Sequence, residues 1–481
     1  MAAAASSANL PLGLPGLLEL VAAFQLPHAA SRAALLHHWA VTDHPVVGRE
    51  RPVRAAARSL AVVVAIAATF AACGNTSPTL APATTSPTPT IAITPTIAIT
   101  PTLTPTLTPT PVATRTIGPV PTSTLRTPES SPAAHLDAKT AATLQTTLNA
   151  IRSKGHFPGI SAAVIFPDGS MWTGESGVGV LSTGAAVTAE TLFSVGSITK
   201  TFTGALALRL AERGTIGLDD PVSRWVPTFP NAANITLREL LNHTSGIRDF
   251  FEPAVYKYIE ADRSAKWTAD RVLSLIGKPY FAPGKGYHYS STNYVLLGVV
   301  LERATGKTLA AMIRSEFLVP LGLNHTFLQS EETAKGTFAH GYLAPQSSPK
   351  DVSVGQTMLP YVSVATASGA SGGVVSTPSD IARWATALYD GEILDQATLA
   401  SMTDVSQTLP YHARPPYGLA FEQLSVAGRL AWGHRGHVDG FWSTMAYLPD
   451  SHLTVVVCMN ADWPNPVLSV GTIVTALLGP A

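Results

Sequence analysis

The sequence predicts an α/β domain of the α+β kind: one antiparallel sheet flanked by helices, completed from both ends of the domain, with an inserted all-helical lobe. Three observations predict it. Alternating apolar and polar residues mark two strands early in the globular region, at 159–166 and 171–176. Helical spacing then dominates, with runs at 269–277, 292–304 and 378–389. Strand patterns return at 418–424, 429–435, 440–448 and 453–459, before a last helix over 466–478.

Composition narrows the function classes. The chain has 481 residues, 46% of them hydrophobic, and its 31 basic and 31 acidic residues cancel. A neutral chain without a basic patch excludes nucleic acid as the expected partner. Two cysteines, Cys73 and Cys458, form neither a disulfide framework nor a zinc site.

Residues 1–50 are rich in Ala, Leu and His without caps or a sustained period, and no function is assigned to them. Arg51-Pro-Val-Arg-Ala-Ala-Ala-Arg58 then precedes a short apolar run over 59–72 that ends Phe70-Ala-Ala-Cys73. Basic flank, short apolar core and small terminal residues read as a bacterial secretion signal, and the run is too short for an ordinary spanning helix. The last four residues resemble a lipobox, which makes Cys73 the expected lipidation site and anchors the exported protein to the bacterial membrane. A signal normally starts a chain, yet no Met lies between Met1 and Met171, so initiation is expected near Val53 at a non-AUG codon. Peptides from residues 1–50 in expressed precursor would exclude that start. The segment 74–133 is a Thr/Pro-rich linker with near repeats of Ile-Ala-Ile-Thr-Pro-Thr at 91–96 and 97–102. Recurrent proline blocks helix and sheet alike, and at ~3.1 Å per residue such a stalk reaches on the order of 150 Å.

The globular domain occupies 134–481. Its first helix is expected over 141–154, and Pro167-Asp-Gly-Ser170 turns the first strand into the second. Thr236-Leu-Arg-Glu239 is a capping box, and Thr377, Pro378 and Gly391 bracket a later helix as cap, first residue and stop.

The chemistry is expected at Leu192-Phe-Ser-Val-Gly-Ser-Ile-Thr-Lys-Thr-Phe-Thr-Gly204, which sets Ser197 and Lys200 three residues apart ahead of an apolar helical run ending at Gly214. If Ser197 opens that helix, Lys200 lies one turn on along the same face, within reach of the hydroxyl. A serine hydroxyl needs such a base to become a nucleophile. The spacing alone is not specific, since Ser347-Ser-Pro-Lys350 repeats it in a polar loop. A competing nucleophile is Ser371 in Gly369-Ala-Ser-Gly-Gly373, but a nucleophile elbow needs a strand before it and a helix directly after, and here the helix waits until Pro378. His434, His437 and Asp439 suggest a metal only weakly, because residues 434 and 437 of a strand face opposite sides. His243 reads as a structural residue ending its helix, and Cys458 as a core residue.

Four more stretches accompany Ser197: Tyr289-Ser-Ser-Thr-Asn-Tyr-Val-Leu-Leu-Gly298, Trp432-Gly-His-Arg-Gly-His-Val-Asp-Gly-Phe441, Leu240-Leu-Asn-His-Thr-Ser-Gly246 and Ser376-Thr-Pro-Ser-Asp-Ile-Ala-Arg-Trp384. With them, residues 138–481 resemble the serine β-lactamase superfamily, in the branch of class C β-lactamases, D-alanyl-D-alanine carboxypeptidases and related esterases. The resemblance implies a five-stranded antiparallel sheet with a helical lobe, and no metal or cofactor. It implies that Ser197 is acylated, that Lys200 is its basic partner and that Tyr289 relays protons. His434 takes the place of a cation that would favour a Tyr289 phenolate, and the amides of Ser197 and His437 form the oxyanion hole. Ser291, Arg435 and Gly436 fall at substrate-binding positions, with Ser291 where asparagine is commonest and Arg435 where threonine is usual. Such an arginine either pairs with a substrate carboxylate or points away from the strand. The expected function is a D-alanyl-D-alanine carboxypeptidase-like hydrolase of cell-envelope peptides, with esterase or β-lactamase as alternatives. Retention of all four reactive residues argues against a non-catalytic peptidoglycan-binding domain.

Overall fold

The segment 159–165 explains the sheet. Gly159–Ile165 alternates Ile160, Ala162 and Val164 with Ser161, Ala163 and Ile165, and every residue is buried. A strand covered on both faces reads as a nearly continuous apolar run. Ile160, Ala162 and Val164 join a layer with Leu144 and Leu148 of the Ala138–Gly155 helix and Val470, Ile473 and Val474 of the Pro466–Leu478 helix. Ala163 and Ile165 face the opposite layer, with Phe202 and Leu206 of the Thr199–Glu212 helix and Ile381 and Trp384 of the Pro378–Tyr389 helix.

The computed structural model describes residues 136–463 and 466–481. The expected extension and signal (1–73), the lipidation site Cys73 and the Thr/Pro-rich linker (74–133) lie outside the described residues. Among those described, the main sheet has seven antiparallel strands, in the order Ala185–Ala186, Met171–Val180, Gly159–Ile165, Leu453–Met459, Phe441–Leu448, Arg429–Val438 and Glu422–Val426. The two ends of the domain meet at its centre, where Ala163 stands opposite Val456. The expected count of five is exceeded at the edges, where short strands extend the sheet. The strand expected from residue 418 begins at Glu422. Gly418 N bonds Phe421 O at 2.9 Å and Ala420 has a φ of +62°, so these residues turn instead of extending.

Caps behave as their chemistry dictates. Thr236 Oγ1 accepts from Glu239 N at 3.2 Å while Glu239 Oε2 accepts from Thr236 N at 2.9 Å, a complete capping box. Thr377 caps the Pro378–Tyr389 helix through Asp380 N.

A three-stranded ribbon joins sheet and lobe. Phe193–Ser194 and Phe327–Leu328 flank Val374–Ser376. Because Val195 N donates to Val374 O at 3.1 Å and Val374 N to Thr199 Oγ1 at 3.1 Å, the chain before Ser197 and the chain after Ser371 are locked side by side.

Candidate active site

Ser197 lies in a 3₁₀ turn, Gly196–Ile198, and the α-helix starts only at Thr199. The expectation that Ser197 itself opens the α-helix is corrected by two residues: Gly196, at a φ of +49°, sets a tighter turn that packs against His437 of the Arg429–Val438 strand. Lys200 still falls one turn on. Its amine is 2.9 Å from Ser197 Oγ, 3.3 Å from Ser291 Oγ and 2.8 Å from the carbonyl oxygen of Ser371.

These partners decide what Lys200 can do. The Ser371 carbonyl only accepts, so it takes one N–H, whereas both serine hydroxyls can also donate. A neutral Lys200 amine can therefore satisfy Ser371 and turn its lone pair to the Ser197 hydroxyl. Lys200 is fully buried. Burial lowers its pKa to about 7, against the opposing charges of Asp249 and Glu422. Near neutral pH it is poised to accept a proton.

Tyr289 stands beside the Ser197 hydroxyl, and the Lys200 amine lies 4.9 Å from the Tyr289 ring centre. Burial, reinforced by the Glu422 charge, pushes the Tyr289 phenol well above its ordinary value, although the Ser197 hydroxyl opposes this. The ground state is a neutral phenol, which can pass protons but is not a standing base.

The cation expected at His434 is absent for a structural reason. His434 Nδ1 lies 2.6 Å from the Arg435 carbonyl, which can only accept, so Nδ1 carries the proton. Nε2 then accepts from the Tyr417 hydroxyl at 2.9 Å. Burial pulls the His434 pKa down to about 4, so the ring is neutral at physiological pH. Tyr417 completes a triangle of rings, its centre 5.9 Å from that of Tyr289 and 5.7 Å from that of His434, which themselves stand 6.2 Å apart.

The strand supplies the next wall. Successive backbone amides of a strand point to alternate edges. Arg435 N donates to Glu422 Oε2 at 2.9 Å, away from the Phe441–Leu448 neighbour, so the His437 amide two residues on points to that same open edge. The Ser197 turn packs there: a methyl group on Gly196 would stand 2.9 Å from His437 N. Gly436 is needed for this approach, because a Cβ there would lie 1.9 Å from Val195 O and 2.3 Å from Ser443 Oγ. The amides of Ser197 and His437 are accordingly brought to one place. The His437 side chain turns outward, bonds Asp462 and stacks on Trp442 with ring centres 4.1 Å apart.

Arg435 neither reaches an open carboxylate site nor hangs in solvent. Its Nε and Nη2 bond Glu422 at 3.0 and 3.3 Å, and Glu422 is 5% exposed. Burial works against the Glu422 charge, but Arg435 outweighs it and holds the carboxyl below its ordinary value.

The other sequence candidates are not nucleophiles here, although the Ser371 carbonyl and the His243 ring border the site. Ser347 and Lys350 are both exposed. Ser371 lies inside the Val362–Gly372 helix with its hydroxyl on Ser368 O at 2.7 Å, and the strand follows it instead of preceding it. His243 is buried at a φ of +63°, just past the Leu237–Leu241 helix, with Nδ1 accepting from Ser290 N and Asn293 Nδ2, each at 3.1 Å. Cys458 is a buried core residue. Sequence reasoning missed Tyr417, Glu422 and Asp249. The one available signal was at Glu422, an acid in the apolar run Leu419-Ala-Phe-Glu422.

Fold and site together define a class, the hydrolases that share the architecture of penicillin-binding proteins and β-lactamases. A family model described as beta-lactamase matches residues 137–479, and the chain belongs to that family. It is similar to penicillin-binding protein 4* of Bacillus subtilis, at 28% identity over 66% of this chain and 71% of the relative. Among solved structures it resembles a D-stereospecific amidohydrolase from Streptomyces, with 29% identity, a TM-score of 0.60, and 71% and 99% of the two chains covered. The D-amino acid amidase of Ochrobactrum anthropi is similar at 27% identity and a TM-score of 0.61, covering 71% of this chain and 98% of that one.

Proposed function

We propose that the domain is a serine amidohydrolase that cleaves a peptide or amide bond through an ester on Ser197. The observation that carries this reading is the buried Lys200 amine 2.9 Å from Ser197 Oγ. Lys200 takes the Ser197 proton as Oγ adds to the substrate carbonyl, and the Ser197 and His437 amides receive the oxyanion. The C–N bond then breaks, the leaving amine takes a proton through Tyr289, and water releases the acyl group by the reverse relay. The substrate class follows from Arg435. Its pairing with Glu422 leaves a leaving group without a free carboxylate better matched than a terminal D-alanine, and the structural relatives named for D-amino acid amides and D-stereospecific amide hydrolysis support that choice. The test is turnover of a D-alanine amide, a D-Ala-D-Ala peptide, nitrocefin and a p-nitrophenyl ester, with Ser197→Ala as control; turnover of nitrocefin alone would overturn the reading.

D,D-carboxypeptidase activity is the second reading, favoured by the partial exposure of the Arg435 side chain, 28%, at the strand position. Glu422→Gln is expected to release Arg435 and raise the rate ratio of D-Ala-D-Ala peptide over D-alanine amide about tenfold, roughly 1.4 kcal/mol. An unchanged ratio would remove Arg435 as a carboxylate receptor.

The same proposal places the domain outside the membrane, tethered through Cys73. Cys73→Ser is expected to move the full chain from the membrane fraction to the soluble fraction. Retention in the membrane would exclude the anchor.

A further inference from the structure

The Ser291–Thr305 helix presents Ser291 to Lys200, yet its own cap is incomplete. Ser290 precedes it without a capping side-chain bond, and the buried Ser290 hydroxyl has no hydrogen-bond partner. The Asp249 carboxylate lies beside the first helical amide, that of Ser291, and accepts from Phe251 N at 3.2 Å. The bond between the two segments runs from Phe250 N to Thr292 Oγ1 at 2.9 Å. Asp249-Phe250 and Ser291-Thr292 are therefore held side by side, and a carboxylate at a helix N-terminus is favoured by the helix dipole.

We infer that Asp249 is a positioning residue for the Ser197 centre: it caps the Ser291–Thr305 helix from outside, seats Ser291 against the Lys200 amine, and supplies the negative charge that balances that amine. The inference rests on the reading of Ser197 and Lys200 given above. Ser291 is the link, with its amide beside Asp249 and its hydroxyl 3.3 Å from Lys200 Nζ. Asp249 is the first of the two acids acting on Lys200, ahead of Glu422. The remaining groups facing Lys200 are Tyr289, Tyr294, His243 and His434, the last two of which are held neutral by burial. Asp249 itself is faced by Lys200, Glu252, Tyr280 and Tyr289. Burial raises its carboxyl to about 6, and the Phe251 amide and Lys200 oppose that rise. At pH 7 it is charged.

Asp249→Asn keeps an acceptor for the helix amide and removes the charge. Without that charge Lys200 loses its proton more readily, so the acidic limb of kcat/KM is expected to move down by on the order of one pH unit. Asp249→Ala removes the cap as well and is expected to move the limb similarly while lowering the plateau on the order of tenfold. The measurement is the pH profile of kcat/KM for both variants and the parent on the substrate that turns over, with the rate of fluorophosphonate labelling of Ser197 recorded across the same pH range. A uniform fall in rate with an unmoved limb in both variants would overturn the inference and leave Asp249 merely structural. Activity surviving in Ser197→Ala would instead overturn the reading on which it rests.

Discussion

Ser197→Ala is expected to abolish formation of the covalent intermediate and to cut kcat on the order of 10⁴-fold or more, since the whole relay acts on this one oxygen. The substitution removes the atom that the Lys200 amine bonds at 2.9 Å. It leaves the Ser197 and His437 amides untouched, because Gly196 and Gly436 set the backbone approach independently of the side chain. Residual rate over water would then report binding and oxyanion stabilisation alone. The check is intact-protein mass after exposure to a fluorophosphonate and to a fluorescent penicillin. The parent should gain one adduct with at least one probe, and the variant none. An adduct retained in the variant would assign the nucleophile to another residue.

Lys200→Met is the second large effect, expected at about 10²–10⁴-fold in kcat/KM, the range for a positioned general base. Methionine keeps the length and apolar stem but cannot receive the Ser197 proton. The pH profile separates this from a packing defect. Lys200 must be neutral to act, and its pKa is lowered to about 7, so parental kcat/KM should climb through about pH 7 and level above it. The variant should lack that limb. Stability should move the opposite way. Between about 7 and the ordinary lysine value of 10.5 the unfolded chain holds a proton that the folded chain has lost, so folding is opposed at neutral pH and the opposition fades as pH rises through that window. Removing the amine removes this cost, and Lys200→Met is expected to melt at a higher temperature than the parent at pH 7. A lower melting temperature would show that the three hydrogen bonds of the amine outweigh its desolvation.

Elements whose signal is local were legible before the structure. The Pro378–Tyr389 helix has its Thr377 cap, proline start and Gly391 stop written in three residues, and the structure agrees at each end. The central strand was legible from its alternation over 159–166, although the structure buries both of its faces. The start of the Glu422–Val426 strand was not, because Ala420 adopts a left-handed backbone without being glycine. Ser197 and Lys200 could be paired from sequence because one helical turn joins them.

The sequence by itself determined the sheet closed from both ends of the domain, the helical lobe between, and the serine and lysine one turn apart, since these depend on periods of two and 3.6 residues and on local caps. Only the tertiary structure decided the electrostatics. Whether His434 is charged, whether Arg435 is free and what acts on Lys200 depend on Tyr417, Glu422 and Asp249. Asp249 lies 49 residues from Lys200, and Glu422 lies 222 residues away. Burial and charge act through space over a few ångströms, and no spacing along the chain records which side chains will share that space.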